Sequence, residues 1–219
     1  LMPHPTATQD GRHRAMSHNT LIHRGVRVLV RPLVRTSIKP NQITTLRLAA
    51  GFGTAAALAV GEPLWWNIGA GLFVLSAILD RADGELARLS GRTSPGGHVY
   101  DLVSDALSNA LVFVGLGIGL RDSVLGHWSI PMGVAAGGAI ALILWAVMAI
   151  EARHGSRAAE LQGSGGFDPD DAILAVPVFI WFGAMQELLI AAALGAPGFA
   201  FYFLIRFRRI LLGRRDAPE

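Results

Sequence analysis

Cysteine is absent from the 219-residue chain. Its absence excludes disulfides, thiolate nucleophiles and cysteine-ligated metal centres, and leaves the redox compartment open. Charge is scarce too: 16% of residues are Asp, Glu, Lys or Arg, against about a quarter in a soluble domain. Lysine is nearly missing, since Lys39 is the single one among 19 basic residues. Residues 1–18 are polar with no apolar core, so no secretory signal is expected there and the stretch reads as a flexible N-terminus. No repeat or separate soluble domain is visible, and no nucleic-acid partner is expected.

What the chain has instead is apolar length. Hydrophobic residues make up 52% of it and the mean hydropathy is +0.43, which predicts an all-α, polytopic membrane protein. Six segments, roughly 43–60, 64–80, 98–120, 130–150, 171–184 and 187–210, read as transmembrane helices. An upright span needs about 20 residues, so the shorter ones must tilt or be sheltered by neighbours. The break between the last two falls either at Gln186-Glu187 or in the run from Gly195 to Gly198. In the order of these segments, 18 of the 19 basic residues fall on one side and Arg121 alone on the other. The positive-inside rule then puts both termini on the cytoplasmic side of a bacterial or archaeal membrane.

Ahead of the first span, Arg24, Arg27, Arg31 and Arg35 recur every three or four residues, which stacks them on one helical face. Leu21, Ile22, Val26, Val28, Leu29 and Leu33 supply the other face. The pattern predicts an amphipathic interfacial helix over 19–38, bent at Pro32, against anionic headgroups. The transmembrane domain would run from 39 to 212 and a short cytoplasmic tail from 213 to 219. Gly115, Gly117 and Gly119, with Gly133 and Gly137, predict close approach of helices.

Four aspartates stand where such a chain least tolerates them. Asp80 and Asp83 are three residues apart and Asp101 and Asp105 four apart, so each pair shares a helical face and two antiparallel neighbours can aim all four into one pocket. An acid at mid-membrane costs about 2.5–3.5 kcal/mol on insertion scales, and four together repel one another. Hard divalent cations relieve that repulsion, and Mg²⁺ shares oxygen ligands readily with substrate phosphates. Gly84 at the mouth of the second segment and Gly97 just before the third leave room for a phosphate, and Ala87 keeps the groove open. Arg88 either contacts phosphate or neutralises a carboxylate. The alternative reading makes Asp80 and Asp83 boundary salt bridges to Arg81 and Arg88; Asp101 and Asp105 have no basic residue nearby in sequence.

With the pattern D-x2-D-G-x2-A-R-x8-G-x3-D-x3-D complete from Asp80 to Asp105, the chain resembles the CDP-alcohol phosphotransferase (CDP-alcohol phosphatidyltransferase) family. Pro40-Asn41-x2-Thr44 is similar to a segment common in that family. The resemblance implies two divalent ions, Mg²⁺ or Mn²⁺, on Asp80, Asp83 and Asp101, with Asp105 completing the site and acting as general base. It also implies a cytidine diphosphate site at Asp80, Asp83, Gly84, Ala87, Arg88 and Gly97, and a homodimer. The expected reaction moves a substituted phosphate from a CDP-linked donor, CDP-diacylglycerol first, to a small polar alcohol in phospholipid synthesis and releases CMP. Two alternatives stay open: a CDP-linked headgroup donating to a lipid alcohol, and a cation transporter using intramembrane acids. Arg153, Arg157 and Arg206 are acceptor-site candidates by location. Their other role is topological anchoring. Ser104, Ser108 and Asn109 either line the pocket or bond a neighbour, and Asp168-Pro169 reads as a helix cap.

Overall fold

The computed structural model describes residues 30–154 and 175–211, and every regular element among them is helical. A 3-10 turn, Arg31–Arg35, leads into α1 (Pro40–Val60), α2 (Pro63–Ser90) and α3 (Pro95–Gly119). A second such turn, Gly126–Trp128, precedes α4 (Ser129–His154); α5 (Ala175–Trp181), α6 (Met185–Arg206) and α7 (Arg208–Leu211) follow. Among the described residues, five runs are long and apolar enough to cross a membrane: α1, α2, α3, Gly126–Arg153 and α6.

Local chemistry sets the helix ends. Gly61 and Gly91 close α1 and α2 in the left-handed region at φ 86° and 65°, where a side chain is strained. Pro40, Pro63 and Pro95 open α1, α2 and α3, where the missing N–H costs nothing. At α3 the Ser94 hydroxyl accepts the Gly97 N–H at 3.0 Å.

α2 runs ten residues past the predicted end of its segment, and α3 starts three residues early. At 1.5 Å per residue the 28 residues of α2 reach about 42 Å, beyond the ~30 Å hydrocarbon layer. Gly84 therefore sits inside a helix rather than at its mouth, and Gly97 lies within the first turn of α3. Hydropathy marks where apolarity ends. Helicity continues because the polar extension still buries Ala82 and Leu86 against Val30 and Ile43.

α1 lies between α2 and α3, and α4 packs on the far side of α3. Glycines make these contacts close: a Cβ on Gly115 would strike the backbone of Ala55, one on Gly119 the Leu58 carbonyl, and one on Gly133 the Phe113 carbonyl. α4 and α6 run parallel, since Ala136 shares a cluster with Leu188 and Leu189 while Ile150 packs with Phe203. Between them in the chain, α5 is the one described helix. The break before α6 is at Phe182–Ala184, with Gly183 at φ 74°; the run from Gly195 to Gly198, Pro197 included, is helical.

Of the expected N-terminal helix, residues 19–29 lie outside the described part, and Thr36 has left helical conformation. The expected cap at Asp168-Pro169 also lies outside it. Lys39, Arg92 and Arg153 gather at one end of the bundle, where Arg92 Nη1 donates to the Ile38 carbonyl at 3.3 Å and Arg153 reaches α7. Arg121 sits at the other end, donating to the Ala59 carbonyl at 3.1 Å. Trp65, Trp128 and Trp181 are all exposed at that second end, the position of an interfacial aromatic belt.

Candidate functional site

Three helices contribute to one polar locus. Arg47 is seven residues into α1, Asp83 seven from the end of α2, and Asp101 six into α3, all counted from the basic end of the bundle. At helical rise that is roughly 10 Å inside the helix ends. Near the boundary of the hydrocarbon layer, charge is less costly than at mid-membrane.

Asp80, Asp83 and Asp101 each offer a carboxylate oxygen, and the three oxygens lie within 4.8 Å of one another. Asp83 is buried, and the Thr44 hydroxyl donates to its Oδ2 at 2.8 Å, which fixes the carboxylate's rotation. Asp101 Oδ1 is buried and accepts no hydrogen bond. Clustered hard oxygens, one of them without a hydrogen-bond donor, suit a divalent cation such as Mg²⁺; buried acceptors are normally satisfied.

Arg47 completes the locus. It is 1% exposed, yet its Nη1 pairs with Asp80 and stands 3.1 Å from Asp101 Oδ1. Nη2 donates to the Asp101 carbonyl at 2.7 Å. The Ser76 hydroxyl donates to the Arg47 carbonyl at 3.3 Å, tying α2 to the same turn of α1. In the sequence Arg47 counts only among the 18 basic residues on one side. The signal was there: a lone arginine inside an apolar span, three residues after Thr44 and so on the same helical face.

The arginine partners inferred from sequence neighbours do not hold. Arg88 pairs with Glu85 at 2.8 Å, and Arg81 Nη1 donates to the Ala77 carbonyl at 3.3 Å. Arg88 thus neutralises a carboxylate, but Glu85 rather than either aspartate. Asp101, without a basic neighbour in sequence, receives one from another helix because α1 and α3 are in close contact.

Asp105 lies one turn beyond Asp101 on α3, exposed, and accepts from Asn109 Nδ2 at 3.1 Å. It is not among the three aspartates whose oxygens converge. Ser108 donates to the Ser104 carbonyl at 2.8 Å, so its hydroxyl serves the helix. A Cβ at Gly84 would meet nothing within 4 Å, whereas one at Gly97 would press on Ser94 and Asn41. Next to these helix ends a cavity of about 520 Å³ is lined by Ser37, Lys39, Pro40, Asn41, Arg92 and Ser94.

Two of the three acceptor candidates are described. Arg153 Nη1 donates to the Ile210 and Leu211 carbonyls at 2.8 and 2.6 Å, while Arg206 sits 5.7 Å from the Phe207 ring centre. Arg157 lies outside the described residues. Arg153 therefore caps the end of α7.

Comparison with known proteins agrees with the motif. The CDP-alcohol phosphatidyltransferase family model matches residues 37–196. A curated protein of Rubrobacter xylanophilus, the bifunctional IPC transferase and DIPP synthase, is 32% identical over 168 residues, which cover 77% of this chain and 34% of the relative. The chain spans about a third of that relative's length. The family match takes in Pro40, Thr44, Arg47 and every position from Asp80 to Asp105: the chain belongs to the CDP-alcohol phosphatidyltransferase family.

Proposed function

We propose that the protein is an integral-membrane, divalent-metal-dependent transferase. It moves a substituted phosphate from a CDP-linked donor, CDP-diacylglycerol first, to the hydroxyl of a small polar alcohol and releases CMP. The observation that carries this reading is the convergence of Asp80, Asp83 and Asp101, from two helices, within 4.8 Å. Its setting in a family of CDP-alcohol phosphatidyltransferases supports the donor class.

Asp80, Asp83 and Asp101 would hold the metal, two ions in the reading drawn from the family. When bound, divalent ions neutralise the diphosphate and favour in-line displacement at phosphorus. Asp83 is held for this work by Thr44. Asp105, exposed one turn away, takes the proton from the acceptor hydroxyl as general base. Gly84 leaves open space over the motif face of α2, and with Ala87, Arg88 and Gly97 it borders the cytidine diphosphate. Arg157 and Arg206 remain acceptor candidates on position alone. The protein works as a homodimer with this end of the bundle facing the cytoplasm, the side favoured by its basic residues.

The test is CMP release by purified protein with Mg²⁺ or Mn²⁺. Donors are CDP-diacylglycerol with glycerol 3-phosphate, inositol, inositol phosphate or serine, and a CDP-linked headgroup with a lipid alcohol. Products are read by lipid mass spectrometry. CMP release only from the CDP-headgroup arm would reverse the roles of donor and acceptor, and ion flux without CMP would remove the transferase reading.

A further inference from the structure

Arg47 is the largest fully buried side chain among the described residues. Its guanidinium is committed to the aspartate cluster: Nη1 lies against both Asp80 and Asp101, and Nη2 donates to the Asp101 carbonyl at 2.7 Å. Nε is buried and makes no hydrogen bond, and neither does Asp101 Oδ1 beside Nη1. A guanidinium presents five donors in a rigid fork and normally spends them when buried. Here the fork bridges two carboxylates from different helices and leaves polar atoms of both partners unsatisfied. That is a holding arrangement rather than a finished ion pair.

Charge gives the reason. Three carboxylates less one guanidinium leave two negative charges, which the first divalent ion to bind would offset. Without Arg47, itself buried, the three acids would face one another uncompensated. With Arg47, two of the three converging carboxylates are already drawn together, and the same cation repels an incoming one.

We propose that Arg47 is a positioning residue that acts as the resident counter-cation of the site: it preassembles Asp80 and Asp101 in the metal-free protein and lowers the cluster's affinity for divalent ions. The proposal rests on the metal-site reading above. It adds that the affinity is set by a side chain of α1, outside the aspartate motif, and that the ion binds against a competitor already in place.

The experiment is thermal unfolding of the full chain in detergent, titrated with Mn²⁺ and without CDP-linked donor, for wild type, Arg47→Gln and Arg47→Lys. Arg47→Gln should melt lower without metal and reach half-maximal stabilisation at about tenfold lower Mn²⁺, since one like charge has left a low-dielectric site. Arg47→Lys keeps the charge but not the fork. It should restore the wild-type Mn²⁺ midpoint to within about threefold while recovering only part of the metal-free stability. If Arg47→Gln does not fold, Arg47→Lys decides: its metal-free melting point must fall while its midpoint holds. A wild-type midpoint in Arg47→Gln, with both proteins responding to Mn²⁺, overturns the assignment and leaves the metal site standing. A wild type that does not respond to Mn²⁺ overturns both.

Discussion

Arg47 on α1 and Asp101 on α3 meet twice, Nη1 at 3.1 Å from Oδ1 and Nη2 donating to the backbone carbonyl at 2.7 Å. The second contact holds the main chain of α3 whatever the carboxylate does. The side chain of Asp101 can therefore change partners without releasing the helix.

Asp101→Asn removes one of three converging ligands. We expect CMP release to fall by more than the roughly 10–100-fold that loss of an outer-shell partner costs at a metal site, and Mn²⁺ stabilisation to weaken with it. Chelation of the wild type by EDTA should abolish turnover, and added Mg²⁺ or Mn²⁺ should restore it. Turnover persisting in EDTA would end the metal-dependent reading.

Asp105→Asn should lower CMP release by about 10²–10⁴-fold, the contribution of a general base, while the Mn²⁺ midpoint stays at the wild-type value. The two measurements separate a base from a ligand. A midpoint shifted as far as in Asp101→Asn would make Asp105 a metal ligand instead.

Thr44→Val leaves Asp83 Oδ2 without the 2.8 Å bond it accepts. A buried acceptor without its donor costs about 1–3 kcal/mol, so melting should drop and weaker Mn²⁺ binding should accompany it. Thr44→Ser keeps the hydroxyl and should behave as wild type; equal losses in both variants would trace the effect to packing.

Gly115→Ala puts a methyl group into the backbone of Ala55. Overpacking of this kind costs about 1–3 kcal/mol, and it wedges apart the two helices that carry Arg47 and Asp101. Both the melting temperature and CMP release should fall. Gly195→Ala is the control, because a Cβ there meets nothing within 4 Å.

The absence of cysteine makes topology directly measurable. In sealed vesicles, a single cysteine at Val124, which is 90% exposed at the Arg121 end, should react with an impermeant maleimide added outside. One at Thr93, between α2 and α3, should react only after permeabilisation. The opposite result would reverse the proposed orientation.

Much of this protein was legible in one dimension. Apolar runs follow from the cost of exposing polar backbone to lipid, so six segments were read from composition, and among the described residues five helices are long and apolar enough to span. The aspartate pairs were visible at helical spacing, and the motif they build resembled the family that the comparison shows. Glycine spacing foretold close helix contact because a missing Cβ acts locally.

What the fold alone decided are the relations between helices. Sequence neighbours suggested Arg81 and Arg88 as partners for the acids, and packing supplied Arg47, 33 residues before Asp80. Hydropathy ended α2 near residue 80, and burial of Ala82 and Leu86 carried it on to Ser90. It grouped four aspartates, and the geometry gathers three of them, with Asp105 one turn away. Periodicity and hydropathy describe one helix against its solvent. Which side chain neutralises which depends on the closeness and rotation of two helices, set by contacts such as Gly115 against Ala55 that no single segment contains.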